Sequence, residues 1–193
     1  MKKYALIIAS ILALTLALSG CLGDMEEYIE PTPEPAVSDP EVSAEPTEGD
    51  TAEPQIGIKE GMLAPDFTLT LTDGTDITLS DLRGSVVLLN FWATWCNPCV
   101  GEMPHIQQMS EDYPDVSILA VNVSESAEDA AAFMSENGLD FPVAVGGNDL
   151  SKLYDLQTIP RTLILDEDGV IAVVIEGSLS AEQFSTLLEA VMG

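Results

Sequence analysis

The sequence predicts an α/β fold, a sheet sandwiched between layers of helices, with a β-hairpin added at its N-terminal side. Three observations carry the prediction. From Ser85 onward, short apolar runs rich in β-branched residues alternate with segments of helical period, the pattern of strands joined by crossover helices. The last thirty or so residues break that alternation with two strands around a Glu167-Asp168-Gly169 turn and one closing helix. Between the first long strand and the helix after it lies Cys96-Asn97-Pro98-Cys99, a motif whose chemistry depends on that junction.

The chain begins with Lys2 and Lys3, an apolar run from Tyr4 to Leu18, and Leu18-Ser19-Gly20-Cys21. Basic residues, a short apolar core and small residues at its end describe a secretory signal over residues 1–20. The core is shorter than the ~20 residues that span a bilayer. Leu18-Ser19-Gly20-Cys21 resembles a lipobox, so Cys21 is expected to become the lipidated N-terminus of the mature protein. This places the rest of the chain at the extracytoplasmic face of the membrane, in the cell envelope. Residues 21–56 read as a tether, with Pro31, Pro33, Pro35, Pro40, Pro46 and Pro54 spread among acidic residues and no Lys or Arg. Such a composition cannot bury a core, and an extended, disordered spacer is expected.

Residues 57–193 are long enough for one domain with a sizeable core. Phe67–Leu71 and Asp76–Leu79 read as a hairpin turned at Asp73-Gly74, followed by a helical turn at Ser80–Leu82 that Gly84 ends. Val86–Trp92 is a buried strand leading to a helix over Asn97–Asp112, inside which Pro104 is expected to introduce a kink. Val116–Val123 is the next strand, followed by a helix over Ala127–Asn137 with Gly138 as its stop. A strand over Pro142–Val145 and a short helix over Leu150–Leu156 come next. Thr162–Asp166 and Val170–Glu176 form the second hairpin, and Ser180 caps a last helix over Ala181–Met192.

A Cys-x-x-Cys opening a helix suits redox chemistry. The first cysteine sits where free backbone N–H groups and the helix dipole favour a thiolate. The second lies one turn on, close enough to form a disulfide with it. Pro98 suits the first helical turn because its missing N–H has no partner there. Zinc is the competing use of such a pair, and a structural site needs four ligands. With Cys21 lipidated, Cys96, Cys99 and the sole histidine, His105, are too few. His105 also lies about 240° round the helix from Cys99 and reads as a surface residue. No metal and no cofactor are expected.

Phe91-Trp92-Ala93-Thr94-Trp95-Cys96-Asn97-Pro98-Cys99 resembles the active-site signature of the TlpA/ResA-like thiol–disulfide oxidoreductases of the thioredoxin superfamily. The resemblance runs from about Gly57 to Gly193. It takes in Ala64-Pro65-Asp66-Phe67, Asp81-Leu82-Arg83-Gly84, Glu102-Met103-Pro104, Val121–Ser126 and Thr158-Ile159-Pro160. It implies a thioredoxin-like α/β/α sandwich, an exposed nucleophile at Cys96 and a more buried resolving thiol at Cys99. It also implies a cis-proline at Pro160 facing the pair, with the Ile159 backbone and Trp95 meeting the substrate. Where thioredoxin itself has a buried aspartate, six residues before the first cysteine, this chain has Asn90, which cannot take a proton. Glu102 and Glu125 match family positions and are the candidate proton acceptors. The implied partners are protein disulfide clients, apocytochrome c among them, and a membrane electron donor. A monomer is expected.

The whole chain holds 6 basic and 33 acidic residues, a formal charge of −27. That field excludes nucleic acid as a partner and favours basic ones. Three other functions meet counter-evidence in the residues, and the intact Cys96–Cys99 pair argues against the first, a non-catalytic adaptor. A thiol-dependent peroxidase would carry Pro-x-x-x-Thr/Ser-x-x-Cys, but the positions before Cys96 are Ala93 and Leu89, and those before Cys99 are Cys96 and Trp92. A copper chaperone of the related kind would carry Cys-x-x-x-Cys and a distant histidine, and neither is present. The reading is therefore a membrane-tethered reductant of protein disulfides. Its direction follows from the carboxylates near the pair and from the lack of Lys, Arg or His within eight residues of Cys96.

Overall fold

The structure, a computed structural model, describes residues 54–193. The expected signal sequence, Cys21 and nearly all of the expected tether lie outside the described residues. Leu63 N–H donates to the Gln55 carbonyl at 2.9 Å, so the folded part begins slightly before residue 57.

A two-stranded hairpin comes first, β1 (Thr68–Thr70) and β2 (Asp76–Thr78), followed by a 3₁₀ turn over Leu79–Leu82. The central sheet has five strands: β3 (Val87–Trp92), β4 (Ser117–Asn122), β5 (Val143–Val145), β6 (Arg161–Leu165) and β7 (Ile171–Glu176). Their spatial order is β5-β4-β3-β6-β7. Strands β3, β4 and β5 run parallel, and β6 and β7 run antiparallel to their neighbours. The helices are α1 (Asn97–Asp112), α2 (Ala127–Glu136), α3 (Gly147–Leu153) and α4 (Ala181–Met192). This is the predicted thioredoxin-like sandwich with its hairpin extension.

Every residue of β3 is buried, so its alternation divides the core in two. Leu88 and Trp92 face a layer built from Met103, Ile106 and Met109 of α1, Met134 of α2, and Phe184 and Leu188 of α4. Val87, Leu89 and Phe91 face the layer of Leu150 and Tyr154, against which Phe67, Leu69 and Ile77 of the hairpin region pack. Asn90 shares its side of the sheet with Leu88 and Trp92, which turns its amide towards α1. The hairpin also covers the edge of the sheet, since Thr72 N–H donates to the Val143 carbonyl at 2.8 Å.

The predicted element types and their order all appear. The exception in extent is α3, which spans Gly147–Leu153 instead of Leu150–Leu156. Gly147 (φ +61°) lets the helix begin directly after β5. Its end is a Schellman motif. Leu156 N–H donates to the Ser151 carbonyl at 2.9 Å and Asp155 N–H to the Lys152 carbonyl at 3.1 Å, with Asp155 in the left-handed region at φ +44°. Helix ends of this kind usually carry glycine, so an aspartate gave no stop signal in the sequence. Pro104 lies within α1, and the helix runs on from Asn97 to Asp112.

Candidate active site

Cys96 and Cys99 form a disulfide, with Cα atoms 5.2 Å apart. Cys96 is the N-cap of α1, and the Cys99 N–H donates to its sulfur at 3.3 Å. The sulfur of Cys96 therefore lies at the end of the helix where unpaired amides favour negative charge. The resemblance implied an exposed Cys96. Instead the residue is only 5% exposed, against 0% for Cys99. The reason is the loop before β6: the Ile159 carbonyl oxygen lies 3.6 Å from the Cys96 sulfur. The Ile159–Pro160 peptide is cis.

Trp95 is 65% exposed, and its indole N–H donates to Ser124 Oγ at 2.9 Å. With Val123, Leu156, Gln157, Thr158 and Ile159 it lines a shallow groove of about 180 Å³. Trp92 is fully buried and packs on Phe133, ring centroids 5.2 Å apart.

Glu102, one turn beyond Cys99, is fully buried. Its Oε1 accepts from Asn90 Nδ2 at 2.9 Å, and its Oε2 from the Leu179 N–H at 3.1 Å. The same Asn90 amide donates to Thr162 Oγ1 at 3.0 Å, across the β3–β6 register pair. Burial pushes the Glu102 carboxyl above its ordinary value, and the bonds from Asn90 and Leu179 only partly oppose this. Such a group can take a proton at a pH where a surface glutamate would have lost it.

Glu125 behaves oppositely. It accepts from the Thr94 N–H at 2.7 Å, from the Thr94 hydroxyl, and from Asn122 Nδ2 at 2.6 Å. Burial pushes its carboxyl up, but the bonds from Asn122 and Thr94 outweigh burial and hold it below the ordinary value. It fixes the Thr94-Trp95 turn as an anion and is poorly placed to carry protons at neutral pH. His105 is half-buried, not free on the surface, because its Nδ1 lies 3.0 Å from the Leu179 carbonyl oxygen. Leu179 is thus held by two α1 side chains one turn apart.

Residues 59–191 match the Redoxin family. The chain belongs to the redoxin family. The redoxin is 37% identical over 139 residues to the thioredoxin-like protein YneN of Bacillus subtilis (strain 168), covering 70% of this chain and 82% of that one. It is 38% identical over 140 residues to the thiol-disulfide oxidoreductase ResA of Geobacillus kaustophilus (strain HTA426), covering 71% and 80%. Its structure is similar to that of a Chlorobium tepidum chain described as the thiol:disulfide interchange protein DsbE. The TM-score is 0.66 at 31% identity, over 71% of this chain and 100% of that one. With the disulfide at the head of α1, the redoxin is a thiol–disulfide oxidoreductase acting on protein substrates.

Several residues of the site had no role in the sequence reading: Thr94, Asn122, Thr162, Leu179 and Arg161. Asn122 and Arg161 did carry a signal, since each is a polar residue within or beside an apolar strand run. Leu179 acts through its backbone N–H and carbonyl, and Thr94 through its backbone N–H beside its hydroxyl, and no sequence pattern distinguishes a backbone group.

Proposed function

We propose that this redoxin is a lipid-anchored reductant of protein disulfides on the extracytoplasmic side of the membrane, with apocytochrome c among its clients. In the reduced protein, the Cys96 thiolate attacks a client disulfide. A Cys96–client mixed disulfide forms, and one client sulfur leaves as a thiolate that takes up a proton. Glu102 accepts the proton of Cys99, whose thiolate attacks the Cys96 sulfur and expels the second client sulfur. The client gains two electrons, and the Cys96–Cys99 disulfide is regenerated. A dithiol of a membrane donor then resets the pair by the reverse exchange. The client lies in the groove between Trp95 and Ile159, its backbone alongside the Ile159 carbonyl.

The observation that carries the direction is the buried Glu102 behind the pair. A carboxyl there disfavours the thiolates of the reduced form when ionised and receives a proton when they must form. Glu125 adds negative charge at the preceding turn. Two basic side chains near the site escaped the count along the sequence, His105 and Arg161. Each is tied to backbone carbonyls: Leu179 for the first, Tyr154 and Asp155 for the second. The anchor and the compartment rest on residues 1–21, and apocytochrome c rests on the resemblance to the TlpA/ResA-like proteins. A redox titration of the cysteine pair in glutathione or dithiothreitol buffers tests the direction. A midpoint near or below about −250 mV supports a reductant, whereas one near ~−120 mV would make the protein an oxidant.

A further inference from the structure

Among the described residues, Arg161 is the one basic side chain drawn into the interior, at 7% exposure. Burying a guanidinium is costly unless something compensates it. No carboxylate does so here: the single ion pair among the described residues, Lys152–Asp149, lies on the surface. The register partner of Arg161 on β7 is Glu176, but no ion pair joins the two. Arg161 Nη1 donates to the carbonyls of Tyr154 and Asp155, both at 3.2 Å, while Nε has no partner. Those two carbonyls belong to the last residue of the α3 turn and to the left-handed residue that closes its Schellman motif. A non-glycine residue in that conformation persists only where its surroundings hold it.

Four residues separate Asp155 from Pro160, and all four line the groove opposite Trp95. One end of this segment is the Schellman turn. The other is Pro160, whose next residue is Arg161 itself. Arg161 therefore ties both ends of the segment to one rigid point on β6. The carbonyl of Ile159, 3.6 Å from the Cys96 sulfur, hangs from that tie.

We propose that Arg161 is a positioning residue for client binding: by fastening the Tyr154-Asp155 turn to β6, it holds the Leu156–Ile159 wall of the groove in its binding shape beside Cys96. Arginine suits this task because its planar group presents several donors in fixed directions to two carbonyls at once. The proposal rests on the reading of the groove as the client site. Removing the tie should loosen the wall and weaken client binding without touching the cysteines.

The test uses the full chain in an insulin-reduction assay with dithiothreitol as electron source, beside the direct reaction of the reduced protein with the small disulfide 5,5′-dithiobis(2-nitrobenzoic acid). Misplacement of a positioning element costs up to about a hundredfold. Arg161→Met should raise the KM for insulin between about tenfold and a hundredfold, while kcat and the small-disulfide rate change by less than about twofold. Amide exchange at Leu156, whose N–H bonds to Ser151, should quicken in the variant. Arg161→Lys, which keeps a donor, should fall between the two and carries the same test if the methionine variant does not fold. An unchanged KM for insulin overturns the proposal. So does a parallel fall in both reactions, which would mean general damage to the site. Trp95→Ala separates the two readings. If it leaves the KM unchanged, the groove assignment itself is wrong; if it raises the KM while Arg161→Met does not, the groove stands and the role of Arg161 falls.

Discussion

At the scale of single residues, two glutamates of the same type do different work because their surroundings differ. Glu102 is buried, and desolvation outweighs the bonds from Asn90 and the Leu179 N–H and the nearby charge of His105, so its carboxyl is pushed up. Glu125 gathers hydrogen bonds from Thr94 and Asn122, so its carboxyl is held down. Linkage makes the difference measurable. For Glu102 the folded state holds the proton more tightly than the unfolded chain, whose glutamate titrates near about 4.3. Its favourable contribution is complete below that pH and is lost as pH rises through the higher folded value. Wild type should therefore lose stability relative to Glu102→Gln over that window, with a flat difference above it. For Glu125 the sign reverses: the contribution is present above about 4.3 and is lost as pH falls through the lower folded value. Urea denaturation of both variants between pH 3 and 8 reads these slopes, and equal slopes would remove the distinction. In kinetics, Glu102→Gln should slow resolution of the mixed disulfide by roughly 10²-fold or more, the usual cost of losing a general base. Glu125→Gln should leave the rate of that step and its dependence on pH unchanged.

The elements of this fold matter mainly where they end. Helix α1 starts on the Cys96 sulfur and α4 on a capping box of Ser180 and Gln183, so chemistry and stability use the same kind of helix terminus. Helix α3 is the short one, and its junction with β5 is tight. A Cβ at Gly146 would stand 2.5 Å from Leu150 Cδ2 and 2.7 Å from Val121 Cγ1. Val121 is fully buried on β4, and its branched side chain has little freedom to turn away. Gly146→Ala should therefore destabilise the domain by about 1–3 kcal/mol, the range for overpacking a core. Urea unfolding at pH 7 measures this, and a loss under about 0.5 kcal/mol would show that the junction can yield. The same helix ends on the turn held by Arg161, so the groove is set by how α3 stops.

At the scale of the whole molecule, the proposed arrangement is a small redox domain on an acidic tether. Cleavage before Cys21 would remove Lys2 and Lys3 and leave a formal charge of −29. Such a field cannot hold the protein on anionic lipid, so the proposed attachment would fall to acyl chains. One experiment reads both ends of the proposed arrangement. Full-length Cys99→Ser protein, extracted from membranes, should carry lipid on an N-terminal Cys21 and a client disulfide-linked through Cys96. Mass spectrometry detects each separately. An unmodified Cys21 thiol or an intact Met1 would sink the anchor, and adducts formed only with proteins other than apocytochrome c would redirect the client.

Most of the architecture was legible along the chain because it is written in periodicity. Buried strands such as Val87–Trp92 are continuous apolar runs, and α1 and α4 begin at capping residues the eye can find. The cysteine pair was equally plain, since its chemistry depends on local spacing and a helix start. The tertiary structure alone decided which polar groups meet. Asn90 reaches Glu102 only because the pleat of β3 turns it towards α1, and Thr162 joins them only through the β3–β6 register. The burial of Cys96 beneath Ile159 depends on two segments more than sixty residues apart. The end of α3 is not legible in the sequence because Asp155 does what glycine usually does, in a turn whose carbonyls accept from an arginine of β6. Local order is encoded in neighbours along the chain, whereas the electrostatics of the site is set by neighbours across the fold.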